Sequence, residues 1–406
     1  MRSRYVIATL AWIVVALAVK PFFPYLDFGA FYATAIDKII SGAPLDLYAF
    51  IARAPGSDLA FPVTNPPHEF FVLAPWYALG QLFGLDDFHR QTGISLGQAW
   101  MLAVTLPLDV LLCRALIALA ETPRRIAEPQ RFTLYLCLLF SPLLWLSSVR
   151  FQHNEAAMVL CVVLAVASGE GRRPVLAGAL WGAALALKTT AIVPALAWFG
   201  WGLGQGRLRQ TTIAAAVGAA VFAVPLLPYL VFRREQVVYA LVGFERLRPV
   251  GGYVLWKLFP DPAAWAAYGN VLILLLAAAT GVALAFARGT SFLAAGGAWA
   301  LVFGQVALLL FGKAVFVWYG LALSCFLYLA VVVREEAKPG LPLIPLTATC
   351  ALWLLQAGGW VGESVSADVK LRSALWTVLL LAIGAFAVTA GASAARASSR
   401  STRSSP

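Results

Sequence analysis

The chain has 406 residues, 61% of them hydrophobic and only 12% charged, with a net charge of +11 from 30 Lys and Arg against 19 Asp and Glu. A soluble domain runs near a quarter charged and about half apolar, so the excess apolar surface must face lipid. That excludes a soluble enzyme, a disulfide scaffold and a disordered protein, and the basic residues, gathered in short loops between apolar runs, read as membrane topology rather than as a nucleic-acid surface.

The first predicted element is a helix from Tyr5 to Val19, behind Arg2 and Arg4. Ala16-Leu17-Ala18 mimics a signal-peptidase site, but Lys20-Pro21 beyond it is a poor context for cleavage, so the segment reads as an uncleaved signal anchor with its N-terminus inside. A long external loop, 21–94, follows. Within it Phe28, Phe31, Tyr32, Ala35, Ile36, Ile39 and Ile40 share one face at helical spacing. Asp27 stands at the N-cap and Gly42 at the stop. This predicts an amphipathic surface helix over 28–41, too short to span and expected to lie along the outer membrane surface. Pro66 to Leu85 is predicted to dip into the outer leaflet.

Further apolar runs lie near 95–120, 132–148, 155–168, 175–187, 189–203, 211–231, 270–287, 291–311, 314–333, 341–360 and 373–392. With the first they make about twelve, so the fold class is an all-α polytopic membrane protein, one transmembrane domain over 1–392. Alternating their direction puts Arg2, Arg4, Arg124, Arg125, Arg131, Arg172, Arg173, Arg207, Arg209, Arg288, Arg334 and Lys338 on one side, the cytosolic one by the positive-inside rule. That outcome requires 175–203 to be two short spans turning at Lys188. One long span there, with a full span over 66–85, also totals twelve but puts five arginines outside. Ser393 to Pro406, rich in Ser and Arg without apolar periodicity, predicts a disordered cytosolic tail. The five cysteines lack CxxC spacing, so neither a disulfide framework nor a metal site is expected.

The polar oddities gather on the other side. Asp27, where the first span meets the surface helix, reads as a helix cap or as a general base at the lipid boundary. Asn65-Pro66-Pro67-His68-Glu69 leads into an apolar stretch, and polar groups at membrane depth are retained for a site or a partner. Arg150-Phe151-Gln152-His153-Asn154-Glu155 sets cationic, neutral and anionic hydrogen-bonding groups in series, which suits sugar hydroxyls or a phosphate. Lys188 at a tight turn, and Lys313 in Phe311-Gly312-Lys313-Ala314, either snorkel to the interface or pair with a phosphate. No HExxH, Walker loop or DxD-like pair occurs, which argues against nucleotide hydrolysis.

Taken in order, these pieces resemble the bacterial polytopic glycosyltransferases of the GT-C class, specifically glycosyltransferase family 87, the polyprenol-phosphate-mannose-dependent mannosyltransferase-like group. The resemblance is carried by Asp27-Phe28 with Tyr32 and Ala35, Ser41 to Tyr48, Asn65-Pro66-Pro67 with Ala74-Pro75, Gln152-His153-Asn154, Ala184 to Lys188, and Pro194. The second half matches only in hydropathy and in Val317-Trp318-Tyr319. Two positions depart from the pattern: Asn65, where an aromatic commonly precedes the prolines, and Phe151, where a small residue is common.

The resemblance implies a GT-C-like bundle in a bacterial plasma membrane. The activity it implies is inverting transfer of a sugar, mannose at the family level, from a polyprenyl-phosphate donor to a lipid or glycan acceptor hydroxyl on the external face. Asp27 would be the base, with a cation such as Lys188 or Arg150 beside the departing phosphate and no metal or cofactor. Asn65, His68, Arg150, Gln152, His153, Asn154, Lys188 and Lys313 are the expected substrate-binding residues. A secondary transporter or lipid flippase is the main competing reading. Such proteins usually have two similar halves and midplane ionisable groups, whereas loops 21–94 and 232–269 differ here. A noncatalytic partner in envelope-polymer assembly would survive Asp27→Asn; base catalysis would not.

Overall fold

A computed structural model describes residues 2–24, 28–49, 51–53, 60–62, 66–90, 92–122, 126–244, 250–287, 291–315, 317–334, 343–356 and 366–401. The chain opens with α1, Arg2–Val19, and a tight 3-10 turn, Lys20–Phe22. A π-helical turn, Phe28–Ala33, then runs into α2, Thr34–Ile40. Two short antiparallel strands, β1 (Ile51–Arg53) and β2 (Ala60–Pro62), precede α3, His68–Leu82. Next come α4, Leu96–Ala120, and α5, Glu128–Leu139; α6, Pro142–Leu144, winds into a π-helical turn, Trp145–Arg150. They are followed by α7, Glu155–Glu170, α8, Pro174–Leu187, and α9, Ile192–Gly204. α10, Leu208–Ala223, is extended by α11, Leu227–Phe232, and α12, Arg234–Val238. The last six are α13, Pro262–Ala266, α14, Gly269–Phe286, α15, Gly297–Phe311, α16, Gly320–Arg334, α17, Leu343–Gln356, and α18, Ala367–Ser401.

The helices form an all-helical polytopic bundle of long apolar spans and shorter apolar helices, against about twelve spans expected from hydropathy. Among the described residues, six are long and apolar enough to cross a membrane alone: Ser3–Phe22, Leu96–Ala120, Glu128–Arg150, Leu208–Phe232, Pro262–Phe286 and Ala367–Gly391. Six further helices, α7, α8, α9, α15, α16 and α17, have 13 to 16 residues. A 14-residue helix rises about 21 Å, short of the ~30 Å hydrocarbon thickness. Several of these short helices lie in the centre, where Val159, Ala184, Val302 and Phe326 are buried, while the long ones turn Val14, Val231, Leu275 and Val378 outward.

The chain reverses at Lys188. The start of α8 and the end of α9 meet at one cavity, lined by Arg172, Arg173, Trp198, Trp201 and Arg207, and the Trp181 and Trp198 rings lie 6.0 Å apart along the hairpin. A single span over 175–203 is therefore excluded. The same basic end holds the Arg4–Glu128 ion pair at 2.7 Å. Two seams of small residues draw helices into backbone contact, the small-xxx-small logic of membrane packing. Gly178 and Gly182 of α8 lie on Ala214 and Gly218 of α10, and Gly200 and Gly204 of α9 lie on Gly281 and Ala285 of α14, so that a Cβ at Gly200 or Gly204 would overlap the opposing backbone.

Two expectations need correction. Part of the apolar face of α2 and the turn before it is covered by protein: Tyr32, Ala35 and Ile36 are buried, and the Tyr32 ring lies 5.5 Å from Phe70 of α3. α3 has 15 residues and buries Phe70, Ala74 and Tyr77, so it offers the loop helix an apolar partner of its own. The C-terminal segment read as a disordered tail is helical to Ser401. Its alanines and arginines are strong helix formers, a local preference that apolar periodicity does not register.

Candidate functional site

At the end opposite the arginine cavity, α1 stops at Lys20-Pro21, where proline removes a backbone donor. The Pro21 carbonyl accepts instead from the Ser95 amide of the α4 N-cap at 2.9 Å, fixing the end of α1 against the start of α4. Lys20 is 0% exposed.

Arg150 closes the Trp145–Arg150 turn. That turn is held from α4, where the Ser148 hydroxyl donates to buried Asp109 at 2.8 Å. The Arg150 guanidinium lies 5.6 Å from the Phe23 ring centre, and its Nη1 donates to the Pro24 carbonyl at 3.4 Å. It is thus fastened to the segment that leads into residues 25–27.

Gln152 has φ +53, a left-handed conformation that costs a non-glycine residue about 1–2 kcal/mol. Such strain persists where surroundings impose it, often at functional sites. Here the His153 amide donates to the Ser147 carbonyl at 2.8 Å and the Gln152 side chain to the Gln98 carbonyl at 3.3 Å. The twist delivers the His153 ring flat against Trp318, 4.2 Å between centroids at 17°, with Tyr32 edge-on at 6.4 Å. Burial, and then the cations of Lys188 and Lys20, hold the His153 pKa well below its ordinary value, so the imidazole is neutral.

Asn154 donates to the Glu69 carboxylate at 2.8 Å and to the Leu187 carbonyl at the end of α8 at 2.6 Å. Glu155, 1% exposed, forms an ion pair with Lys188, whose ammonium also lies 3.9 Å from the Tyr319 ring centre. The turn at 188 is therefore stitched to the starts of both α3 and α7.

The structure brings Arg150, Gln152, His153, Asn154 and Lys188 into one neighbourhood. His68 turns elsewhere: its Nε2 donates to the Val221 carbonyl at 2.9 Å. Four residues on stands Pro225, which cannot supply the helical N–H, so His68 caps a carbonyl orphaned by proline. Lys313 sits beyond α15, where its carbonyl accepts from the Gly251 amide at 3.2 Å. Asp27 and Asn65 lie outside the described residues.

Sequence reasoning did not single out Lys20 or Trp318 as site residues, and it named the acids Glu69 and Glu155 only as members of their polar motifs. Lys20 had a signal, being the only charge between Arg4 and Asp27. The acids and Trp318 join only through contacts distant in sequence.

No family model matches this chain, and no curated protein matches it in sequence. Among solved structures, the fold is similar to that of ArnT from Cupriavidus metallidurans, crystallised bound to undecaprenyl phosphate. The identity is 15% and the TM-score 0.50, over 97% of this chain and 76% of that one. This likeness shows the fold, an all-α polytopic GT-C-like bundle.

Proposed function

We propose that the protein is an integral membrane glycosyltransferase, moving a sugar from a polyprenyl-phosphate donor to a hydroxyl of a lipid or glycan acceptor. The observation that carries this reading is the meeting of Arg150, Gln152, His153 and Asn154 beside the end of the first helix. They do so in a bundle similar to that of a protein bound to undecaprenyl phosphate.

In the reaction so read, Asp27 takes the proton of the acceptor hydroxyl, whose oxygen attacks the anomeric carbon from the face opposite the phosphate. The bond from that carbon to the phosphate oxygen breaks, the sugar is inverted, and the lipid phosphate leaves with the electron pair. A protein cation beside it offsets the growing charge. Arg150 suits this better than Lys188, whose charge Glu155 already balances. Neutral His153 and Gln152 offer hydrogen bonds to sugar hydroxyls, with Trp318 as an apolar wall. Mannose as the sugar, membership of family 87, and an active site on the external face of a bacterial plasma membrane complete the reading.

The test is sugar transfer by purified protein from labelled polyprenyl-phosphate-mannose to a membrane-lipid extract. General-base catalysis contributes about 10²–10⁴-fold, so Asp27→Asn should lose at least two orders of magnitude of rate. A fully active variant overturns the assignment of Asp27. Wild-type protein that moves the lipid-linked sugar between leaflets without transferring it overturns the enzyme reading in favour of a flippase.

A further inference from the structure

Two lysines are buried at this end of the bundle, and they are handled in opposite ways. Lys188 has its counter-ion in Glu155. Lys20 is 0% exposed, and its Nζ has no hydrogen-bond partner and no carboxylate among the described residues. A second cation, Arg150, lies near it and donates to a neutral acceptor, the Pro24 carbonyl. Burying a charge is costly unless it is paired, and two adjacent cations deepen that cost. Charged residues retained at membrane depth mark ligand sites by default.

We propose that Lys20, with Arg150 beside it, anchors the phosphate of a polyprenyl phosphomonoester, in the donor before transfer and in the lipid product after it. The identity of the anion's owner rests on the glycosyltransferase reading. Position agrees with lipid as the source. Lys20 ends a helix that rises about 27 Å, nearly the full hydrocarbon depth, which sets its ammonium close to headgroup level. The helix leading to it exposes Ile7, Leu10 and Val14, and Phe22 and Phe23 lie just past Lys20, an apolar track for an isoprenoid chain whose head sits at Lys20. As the lipid phosphate leaves and its charge grows, Lys20 lies next to the breaking bond.

The experiment measures binding of undecaprenyl phosphate, undecaprenol and inorganic phosphate to wild type, Lys20→Met and Lys20→Arg in lipid nanodiscs, with the thermal midpoint of each ligand-free protein. Wild type is expected to bind the phosphate lipid at least ten-fold more tightly than the alcohol. Lys20→Met should erase that preference and yet raise the ligand-free midpoint, because an unpaired buried charge has been replaced by an apolar chain of similar volume. Lys20→Arg should keep most of the preference, which guards against loss of fold in the first variant. A Lys20→Met protein that still prefers the phosphate lipid overturns the inference. So does a fall in its midpoint, which would make Lys20 a structural residue. Inorganic phosphate bound as tightly as the lipid phosphate overturns the lipid assignment. Should wild type transfer sugar but show no preference for the phosphate lipid, this inference fails and the proposed function stands. Preference lost in Lys20→Met, with no sugar transfer by wild type, gives the reverse.

Discussion

The ammonium of Lys188 and the carboxylate of Glu155 form an ion pair inside the protein, with side chains 14% and 1% exposed. The pair closes the turn between α8 and α9 onto the first residue of α7. The sequence offered Lys188 as a phosphate ligand; in the fold its ammonium is matched by the buried Glu155 carboxylate.

Breaking a buried pair by removing one partner costs about 3–5 kcal/mol, because the other charge is left without compensation. Glu155→Gln should therefore lower stability by roughly that amount, and Glu155→Gln with Lys188→Met should recover most of it. Thermal unfolding of the single and double variants in detergent checks this. Additive losses would show that the two side chains act independently.

The bond from His68 to Val221 predicts an unusual coupling. Removing the His68 donor strands the Val221 carbonyl, at a cost of about 1–3 kcal/mol. Pro225→Ala restores a backbone N–H that can reach that carbonyl. His68→Leu should thus be clearly less damaging in the Pro225→Ala background than in the wild type. Equal losses in both backgrounds would dissolve the link.

His153 ties stability to pH with a definite sign. Its folded pKa lies well below the ordinary value, because burial and the fields of Lys188 and Lys20 oppose the charged form. Above about pH 6.5, the ordinary value, both folded and unfolded states hold it neutral, and its contribution is complete. As pH falls below that value the unfolded chain gains a proton that the folded site refuses, so stability declines. Unfolding measured from pH 8 to pH 5 should show this decline in the wild type and a weaker one in His153→Gln. A His153→Gln profile as steep as the wild type would mean that the imidazole titrates freely in the fold.

The seam between α9 and α14 should tolerate no side chain. A Cβ at Gly204 would overlap the Ala285 backbone. Overpacking costs about 1–3 kcal/mol where the backbone can shift and more where it cannot, so Gly204→Leu should fall at or above that range. Val282, 58% exposed on α14, is the control: Val282→Leu should leave the thermal midpoint unchanged. Equal midpoints for Gly204→Leu and wild type would mean the helices are not in backbone contact.

Hydropathy by itself determined that the chain is a polytopic helical membrane protein, while at Lys188 it left one long span or a reversal open. The first follows from the chemistry of each segment alone: lipid demands apolar surface, and arginines collect at one end of it. The polar turn at 150–155 was equally legible, since Gln, His and Asn in series have no reason to interrupt apolar helices. Tertiary structure alone decided what those residues touch. His68 answers a carbonyl 153 positions away, Lys188 finds Glu155 across a turn between helices, and α2 covers part of its apolar face with α3. Lys20 is the sharpest case. Only the packing around it removes its water and, among the described residues, leaves its Nζ without a hydrogen-bond partner. Pairing and desolvation depend on distance in space, and sequence order does not encode that for residues joined through the bundle.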